Sequence, residues 1–163
     1  MKFIKLFILS LVLFSCRGES ESDIQKIDQI LKIYIKDASG NDLLNKAMDS
    51  TFYSIEFKDL GALQDRVSVR TSLKVDKDSV YYHEYIAGAT RTLEDGGTDT
   101  NKTYKSDIAV QYKTSTTSEI VEDRMLIFYD WTPQIFQIKS VFYNDISIFQ
   151  KEEGKENIIT IVK

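Results

Sequence analysis

The chain has 163 residues, of which 21 are basic and 25 acidic. This length is enough for one domain but leaves too few residues for two domains of ordinary size. The acidic balance disfavours nucleic acid as a partner, because binding phosphates needs a basic surface. A single cysteine excludes an intramolecular disulfide, so an ordinary hydrophobic core must hold the domain together.

The first fifteen residues have the layout of a secretory signal. Lys2 and Lys5 provide a short basic start, and an uncharged, mostly apolar run follows from Leu6 to Phe14. A membrane-spanning helix needs about 20 apolar residues, so this run is too short for a permanent anchor. We therefore predict that residues 1–15 form a cleavable signal helix and exclude them from the fold.

The end of that run carries a family resemblance. Leu13-Phe14-Ser15-Cys16 resembles the lipobox of bacterial lipoproteins. A bulky residue two positions before the cysteine, such as Phe14, is common in lipoproteins of the Bacteroidota, which this precursor resembles. The resemblance implies cleavage before Cys16 and attachment of a diacylglycerol, often with a third acyl chain, to that cysteine. Two or more acyl chains hold a protein stably on a bilayer. The alternative is an ordinary secretory signal with a coincidental cysteine.

The lipoprotein resemblance also implies a place for the protein. It predicts a lipid-anchored protein of the cell envelope, at the outer membrane, and leaves the periplasmic and surface faces open. Residues 16–26 are polar and acidic after the cysteine, which predicts a flexible tether, and residues 27–163 form one predicted domain. Removing the signal takes away two lysines and no acid, so the remaining chain has a formal net charge of −6.

Alternation of apolar and polar residues predicts the fold class. The cleanest pattern spans Val67 to Val75, where the even positions are all polar. Gly154 favours a tight turn that joins the last two strands as a hairpin. The predicted strands cover residues 31–36, 53–58, 67–75, 80–87, 104–112, 125–131, 135–143, 146–150 and 158–162. We therefore expect an all-β fold of about nine strands, either an antiparallel, immunoglobulin-like β-sandwich or a small β-barrel.

Two segments depart from the strand pattern. The spacing of Ile24, Ile27, Ile30 and Leu31 predicts a short helix before the first strand. A helical turn is predicted between Asn41 and Ser50. Neither segment is long enough to change the class.

The segment from Asp37 to Asp42 has two interpretations, a calcium-binding loop and a Gly-containing turn. Asp37, Ser39, Asn41 and Asp42 offer oxygen ligands of the kind that calcium loops use. An EF-hand would place a glutamate where Met48 stands, so a Gly-containing turn is favoured and no metal or other cofactor is expected. Residues 32–44 also resemble the start of many uncharacterised Bacteroidota lipoprotein domains, a resemblance that implies no chemistry.

Ser50 and Ser79 lie in short motifs that resemble O-glycosylation sites of exported Bacteroidota proteins. Asp49-Ser50-Thr51 and Asp78-Ser79-Val80 carry this resemblance. Three-residue patterns occur often by chance, so glycosylation of either serine stays open.

The sequence favours binding over catalysis. His83 is the sole histidine, and its neighbour Glu84 would point to the opposite face of a strand, so the two make no catalytic dyad. No phosphate-binding glycine loop and no nucleophile elbow is present, and we expect no enzyme activity.

Exposed aromatic residues are the predicted contact surface. Amphipathic rings are favoured at interfaces, which makes Tyr34, Tyr81 and Tyr85 candidate contacts, whereas Trp131 is expected in the core. The leading hypothesis is a lipid-anchored binding or accessory domain presented to an envelope protein or glycan. An alternative is a β-barrel or sandwich that carries a small apolar ligand, and a third is a carboxylate-based hydrolase of envelope polymers.

Overall fold

A computed structural model describes residues 24–48, 51–64, 66–94 and 96–163. The predicted signal helix, Cys16, most of the tether and Ser50 lie outside these residues. Lys26 already belongs to a strand, and the Gln25 side chain donates a hydrogen bond of 2.6 Å to the Thr132 carbonyl. Gln25 and Lys26, which precede the predicted domain, therefore contact the folded β-rich part of the chain.

The described chain is all-β, as predicted, and contains no α-helix. Its twelve strands are β1 (Lys26–Asp28), β2 (Leu31–Lys36), β3 (Ser54–Asp59), β4 (Val67–Ser68), β5 (Ser72–Val75), β6 (Tyr81–Tyr85), β7 (Thr92–Leu93), β8 (Lys102–Lys113), β9 (Val121–Trp131), β10 (Ile135–Tyr143), β11 (Ile146–Gln150) and β12 (Asn157–Val162).

The strands form two curled sheets that together make a half-barrel. The large sheet has the order β1-β10-β9-β8-β3-β4, with β11 added to β10 and β7 added to β8. The small sheet has the order β12-β2-β6-β5. Pairing is mostly antiparallel, but β1 runs parallel to β10 and β12 runs parallel to β2.

One core lies between the two sheets. In β2, Leu31, Ile33 and Ile35 are fully buried while the intervening residues stay partly exposed, and β12 shows the same alternation. Full burial of one such side chain stabilises the fold by about 1.5–3 kcal/mol. The large sheet contributes the opposing layer, which includes Phe57, Ile108, Val110, Tyr112, Met125, Ile127, Tyr129, Ile138 and Val141.

Three strand features differ from the prediction. Residues 67–75 form two strands in different sheets, because the chain crosses from β3 in the large sheet to β6 in the small one. Alternation alone carries no information on which sheet a residue joins. The very short strands β1 and β7 were not predicted. Together with the division of residues 67–75 into two strands, they account for twelve strands in the described chain where nine were predicted.

The predicted terminal hairpin is wrong. Gly154 has the expected positive φ of 74°, but β11 pairs with β10 and β12 pairs with β2, so the turn connects the two sheets. Lys151 holds this connection: its ammonium donates to Asp28, to the Asn157 side chain and to the Lys155 carbonyl at 2.6–2.9 Å.

The predicted helix before the first strand is also wrong. Ile24, Ile27 and Ile30 are 65%, 62% and 47% exposed, so they do not form the buried stripe that would stabilise a short helix. In the second segment, the described residues up to Met48 form turns, with the Met48 N–H bonded to the Asn45 carbonyl at 3.0 Å.

Candidate functional site

The inward-facing rows of the large sheet continue into an open pocket at one end of the core. Trp131 and Phe136 are register partners that extend the buried rows of β9 and β10, and Ile27 of β1 faces Phe136. The pocket has a volume of about 400 Å³. We call it the Arg91 pocket; its lining residues are Gln25, Ile27, Gln29, Arg91, Tyr104, Trp131 and Phe136.

Arg91 comes from the connection between β6 and β7 and covers the end of the core. Its guanidinium carbon lies 4.9 Å from the centroid of the Tyr129 ring and 4.8 Å from that of Phe136. These two rings stack on each other at 5.4 Å with an interplanar angle of 11°. Two stacked rings below one guanidinium give a favourable cation–π arrangement.

The hydrogen bonding of Arg91 is incomplete. Its Nη2 donates to the Gln29 side-chain oxygen at 2.7 Å, and its Nε is buried without a hydrogen-bond partner. Among the described residues no carboxylate pairs with this guanidinium. Leaving a buried donor unpaired costs about 1–3 kcal/mol, so the arrangement is not the one that stability alone would favour.

Charge is separated between the two faces of the sheet at this end. Among the described residues of the lining, Arg91 is the only charged one, and the Lys102 ammonium lies nearby, 5.3 Å from the Trp131 ring centroid. Three acids on the other face are each paired with a lysine: Asp28 with Lys151, Asp130 with Lys139, and Glu94 with Lys105. The pocket is therefore cationic within an acidic chain.

A second cation covers the opposite end of the core. The Lys163 ammonium lies 4.3 Å from the Tyr112 ring centroid and 5.5 Å from that of Tyr143. Here the cation forms an ion pair with Asp123, whose carboxylate also accepts from the Tyr143 hydroxyl and from Asn144. We call Lys163, Asp123, Tyr112 and Tyr143 the Lys163 cluster. Burial lowers the pKa of Lys163 and raises that of Tyr143.

No family model, curated protein or solved structure matches this chain. The function must therefore be argued from the geometry of the chain itself. Within the described ranges, no group of three or more histidine, cysteine, aspartate or glutamate residues is arranged to hold a metal ion. The same part of the chain contains no helix with the length and apolar character needed to cross a membrane.

Tyr34 lies on the outward face of the small sheet. Its ring packs against Tyr82 at 5.3 Å, and its hydroxyl donates to Asp76 at 2.9 Å. Burial and the hydrogen bond to Asp76 raise the pKa of Tyr34 to about 12. Lys32 covers the Tyr82 ring and pairs with Glu156, so this face is already occupied by contacts within the chain.

The other two predicted contact tyrosines lie on the inward face of β6. Tyr85 is fully buried, and its hydroxyl lies 3.3 Å from that of Tyr129, so the expectation of an exposed contact at Tyr85 is corrected. Tyr81 is partly buried against the core. Trp131, expected in the core, packs against it from the pocket and is only partly buried.

The oxygens from Asp37 to Asp42 are used to build a turn. One Asp37 carboxylate oxygen accepts from the Ser39 and Asn41 amides at 2.8 Å, and the other accepts from the Asn41 side chain. Asp42 accepts from the Leu44 and Tyr81 amides. This pattern is that of an Asx turn, the interpretation that the sequence favoured.

The turn between β5 and β6 repeats this construction. Asp76 accepts hydrogen bonds from the Asp78 and Val80 amides at 2.9 Å. Asp37 likewise accepts from the amides two and four residues later in the chain. The left-handed position is Gly40 in the first turn, with φ of 87°, and Ser79 in the second, with φ of 64°. Ser79 is exposed there, and its glycosylation stays a prediction.

His83 is partly buried and neutral at physiological pH. Burial lowers its pKa to about 4, its Nδ1 shares a hydrogen bond of 2.9 Å with Thr71, and its ring meets Phe57 edge-on. It lines an apolar groove of about 210 Å³ together with residues that include Leu43, Leu73 and Tyr53.

Sequence reasoning missed Arg91, Gln25, Gln29 and Tyr104 as site residues. They come from separate parts of the chain, and the pocket exists only once β1, β8, β9 and β10 are aligned in register. The aromatic character of Trp131 was the one local signal, and it did not distinguish a pocket wall from the core.

Proposed function

We propose that this chain is a lipid-anchored binding domain of the cell envelope and that its ligand enters the Arg91 pocket. The lipobox resemblance at Cys16 supports the anchor, and the polar segment after it supports a tether. The ligand comes from an envelope glycan or protein. The role is binding rather than catalysis.

The observation that carries the proposal is the incomplete pairing of Arg91. The guanidinium lies over Tyr129 and Phe136, and its single hydrogen-bond partner among the described residues is the neutral Gln29, although the chain has more acids than bases. Buried or half-buried charges in proteins are normally paired. An aromatic pocket with one unneutralised cation is an arrangement suited to a ligand that brings the missing acceptors.

The anchor is tested by labelling cells with a radioactive fatty acid. We expect incorporation into the full chain and its loss in Cys16→Ala, with Ser15→Ala, which keeps a small residue before the cysteine, as the matched control. Equal labelling of Cys16→Ala would contradict lipidation at this position.

The pocket is tested by affinity purification from detergent-solubilised envelopes, followed by analysis of the captured proteins and glycans. We expect Arg91→Met to lose the material that the wild type captures. Tyr34→Ala, which alters the outward face of the small sheet, should retain it. If Tyr34→Ala loses the captured material and Arg91→Met retains it, the binding surface is the outward face of the small sheet and not the Arg91 pocket.

A carrier of a small apolar ligand has less support. The inward side chains of both sheets fill the core, and the groove beside His83 has about 210 Å³, below the roughly 300–1,000 Å³ of usual ligand pockets. If the chain carries such a ligand, the groove beside His83 is where we expect the ligand to bind.

A carboxylate-based hydrolase is also less well supported. Asp28, Asp130 and Glu153 line one groove, but a general acid needs a raised pKa. Burial tends to raise the pKa of Asp28, yet hydrogen bonds from Lys151 and Asn157 outweigh it and hold that pKa below its usual value.

A further inference from the structure

We propose that the Arg91 pocket recognises the carboxylate of an acidic sugar, with the guanidinium as the anion partner and the aromatic walls as the platform for the sugar ring. This inference rests on the proposed function, because it names the ligand class of the same pocket.

The planar guanidinium favours a carboxylate. It presents five N–H donors in a rigid fork that matches the two oxygens of a carboxylate, and in the part of the chain that the structure describes only one hydrogen bond, to Gln29, uses them. Stacking on Tyr129 and Phe136 fixes the plane of the fork before a ligand arrives. A fixed fork loses little conformational freedom on binding, which increases affinity.

The surroundings favour a carboxylate over a phosphate. Phosphate sites in proteins usually combine several backbone N–H groups or a cluster of cations. The described lining of the Arg91 pocket comes from β1, β8, β9 and β10 and from Gln25, Gln29 and Arg91 outside the strands, and it carries one cation. A singly charged, planar anion fits that supply of donors better than a dianion does.

The walls favour a ring with both apolar and hydroxylated faces. Tyr104 and Trp131 lie on the inward face of neighbouring strands, and Ile27 adds an exposed apolar side chain. Gln25 and Gln29 place two amide side chains in the same lining, where they have donors and acceptors for hydroxyl groups. A simple aliphatic acid would use the cation and leave the rings and amides without a role.

The position of the pocket favours a sugar held near the membrane. Gln25 lines the pocket and stands nine residues after Cys16, so a fully extended chain spans at most roughly 30 Å between them. If Cys16 carries the lipid anchor, the pocket stays within this distance of the bilayer surface. Acidic sugars on membrane glycolipids lie in that layer, and free uronates are the alternative source of the same chemistry.

The test is isothermal titration calorimetry of the full lipidated chain in detergent. The probes are galacturonate, its trimer, galactose and inorganic phosphate. We expect saturable binding of galacturonate, at least tenfold weaker binding of galactose and of phosphate, and at least tenfold weaker galacturonate binding in Arg91→Met. Lys139→Met removes a paired lysine from the opposite face and should bind as the wild type does.

The single tryptophan supplies a second readout. Galacturonate should change the fluorescence of Trp131 with the same midpoint as the calorimetric titration. Tighter binding of the trimer than of the monomer would assign the site to a sugar within a glycan chain, and equal binding would assign it to a terminal or free sugar. Either result supports the acidic-sugar class.

Three results separate failure of this inference from failure of the proposed function. Equal binding of galactose and galacturonate, or preference for phosphate, overturns the carboxylate class while Arg91-dependent capture from envelopes preserves the binding role. Galacturonate binding that is unchanged in Arg91→Met overturns the assigned site. Absence of binding to every probe, together with capture that does not depend on Arg91, overturns both.

Discussion

The two ends of the core are built on the same plan but are completed differently. At each end a cation lies over two aromatic rings, Arg91 at one and Lys163 at the other. Lys163 is neutralised by Asp123, whereas the partner of Arg91 among the described residues is the neutral Gln29. The cation of the Lys163 cluster thus has its counter-charge within the chain, and under our proposal the ligand supplies the counter-charge of Arg91.

This difference is the reason that we propose a ligand site at the Arg91 end and not at the Lys163 end. A cation over aromatic rings is not informative alone, because the fold uses it at both ends. The two ends differ in that a carboxylate pairs with Lys163, whereas none of the described residues places a carboxylate on Arg91.

The largest effect is expected at the Lys163 cluster. Asp123→Asn leaves Lys163, which is 20% exposed, without its counter-charge and weakens the acceptor of the Tyr143 hydroxyl. We expect a loss of about 3 kcal/mol in the free energy of unfolding, measured in urea. The corresponding change at the other end, Gln29→Ala, should cost no more than about 1 kcal/mol. Similar losses in both variants would break the comparison.

The pH dependence of the free energy of unfolding contains a contribution from His83. This contribution must be known before the Arg91 and Lys163 ends of the core are compared by pH. Its folded pKa of about 4 lies below the unfolded value of about 6.5, so the unfolded state takes up the proton first as pH falls. The stability from the neutral imidazole is complete above pH 6.5 and is lost as pH falls through 4, by about 3 kcal/mol in total.

The variant His83→Phe keeps an aromatic ring in this position and removes the titration. Subtracting its pH profile of unfolding from that of the wild type cancels the carboxylates, so the difference should change only between about pH 6.5 and 4. A flat difference would show that His83 does not titrate in this way.

A smaller effect on stability is expected for Arg91→Met. The change removes a cation–π contact of about 0.5–2 kcal/mol and also removes a buried unpaired N–H that costs about 1–3 kcal/mol. Because the two contributions oppose each other, the free energy of unfolding should change by no more than about 1 kcal/mol in urea. A loss of 3 kcal/mol would make Arg91 a structural residue like Lys163.

The sequence predicted the parts of the fold that depend on local alternation. The long strands around Ile33, Val110 and Ile127 repeat apolar residues at every second position, and the structure contains each of them. It did not predict β1 and β7, which are short and mostly exposed, nor the passage of residues 67–75 and 146–162 between sheets. Partner choice depends on contacts across the whole chain, which a local pattern does not encode.

The candidate site was less predictable than the fold. Tyr34 and Tyr85 were both predicted as exposed contacts, yet Tyr34 lies on the outward face of the small sheet and Tyr85 in the core. Arg91 carried no local signal, since its significance comes from the acids that are missing around it. A missing partner is a property of three-dimensional arrangement and has no counterpart in a motif.

The comparison of the two ends is tested most directly by ligand-induced stabilisation in the full chain. The free energy of unfolding is measured with and without galacturonate at one hundred times its dissociation constant for wild type, Arg91→Met and Tyr143→Phe. The wild type should gain about 2.7 kcal/mol. Tyr143→Phe should start less stable and keep that gain, while Arg91→Met should start near the wild type and lose it. Retention of the gain in Arg91→Met, or its loss in Tyr143→Phe, would contradict the assignment of the ligand site to the Arg91 end.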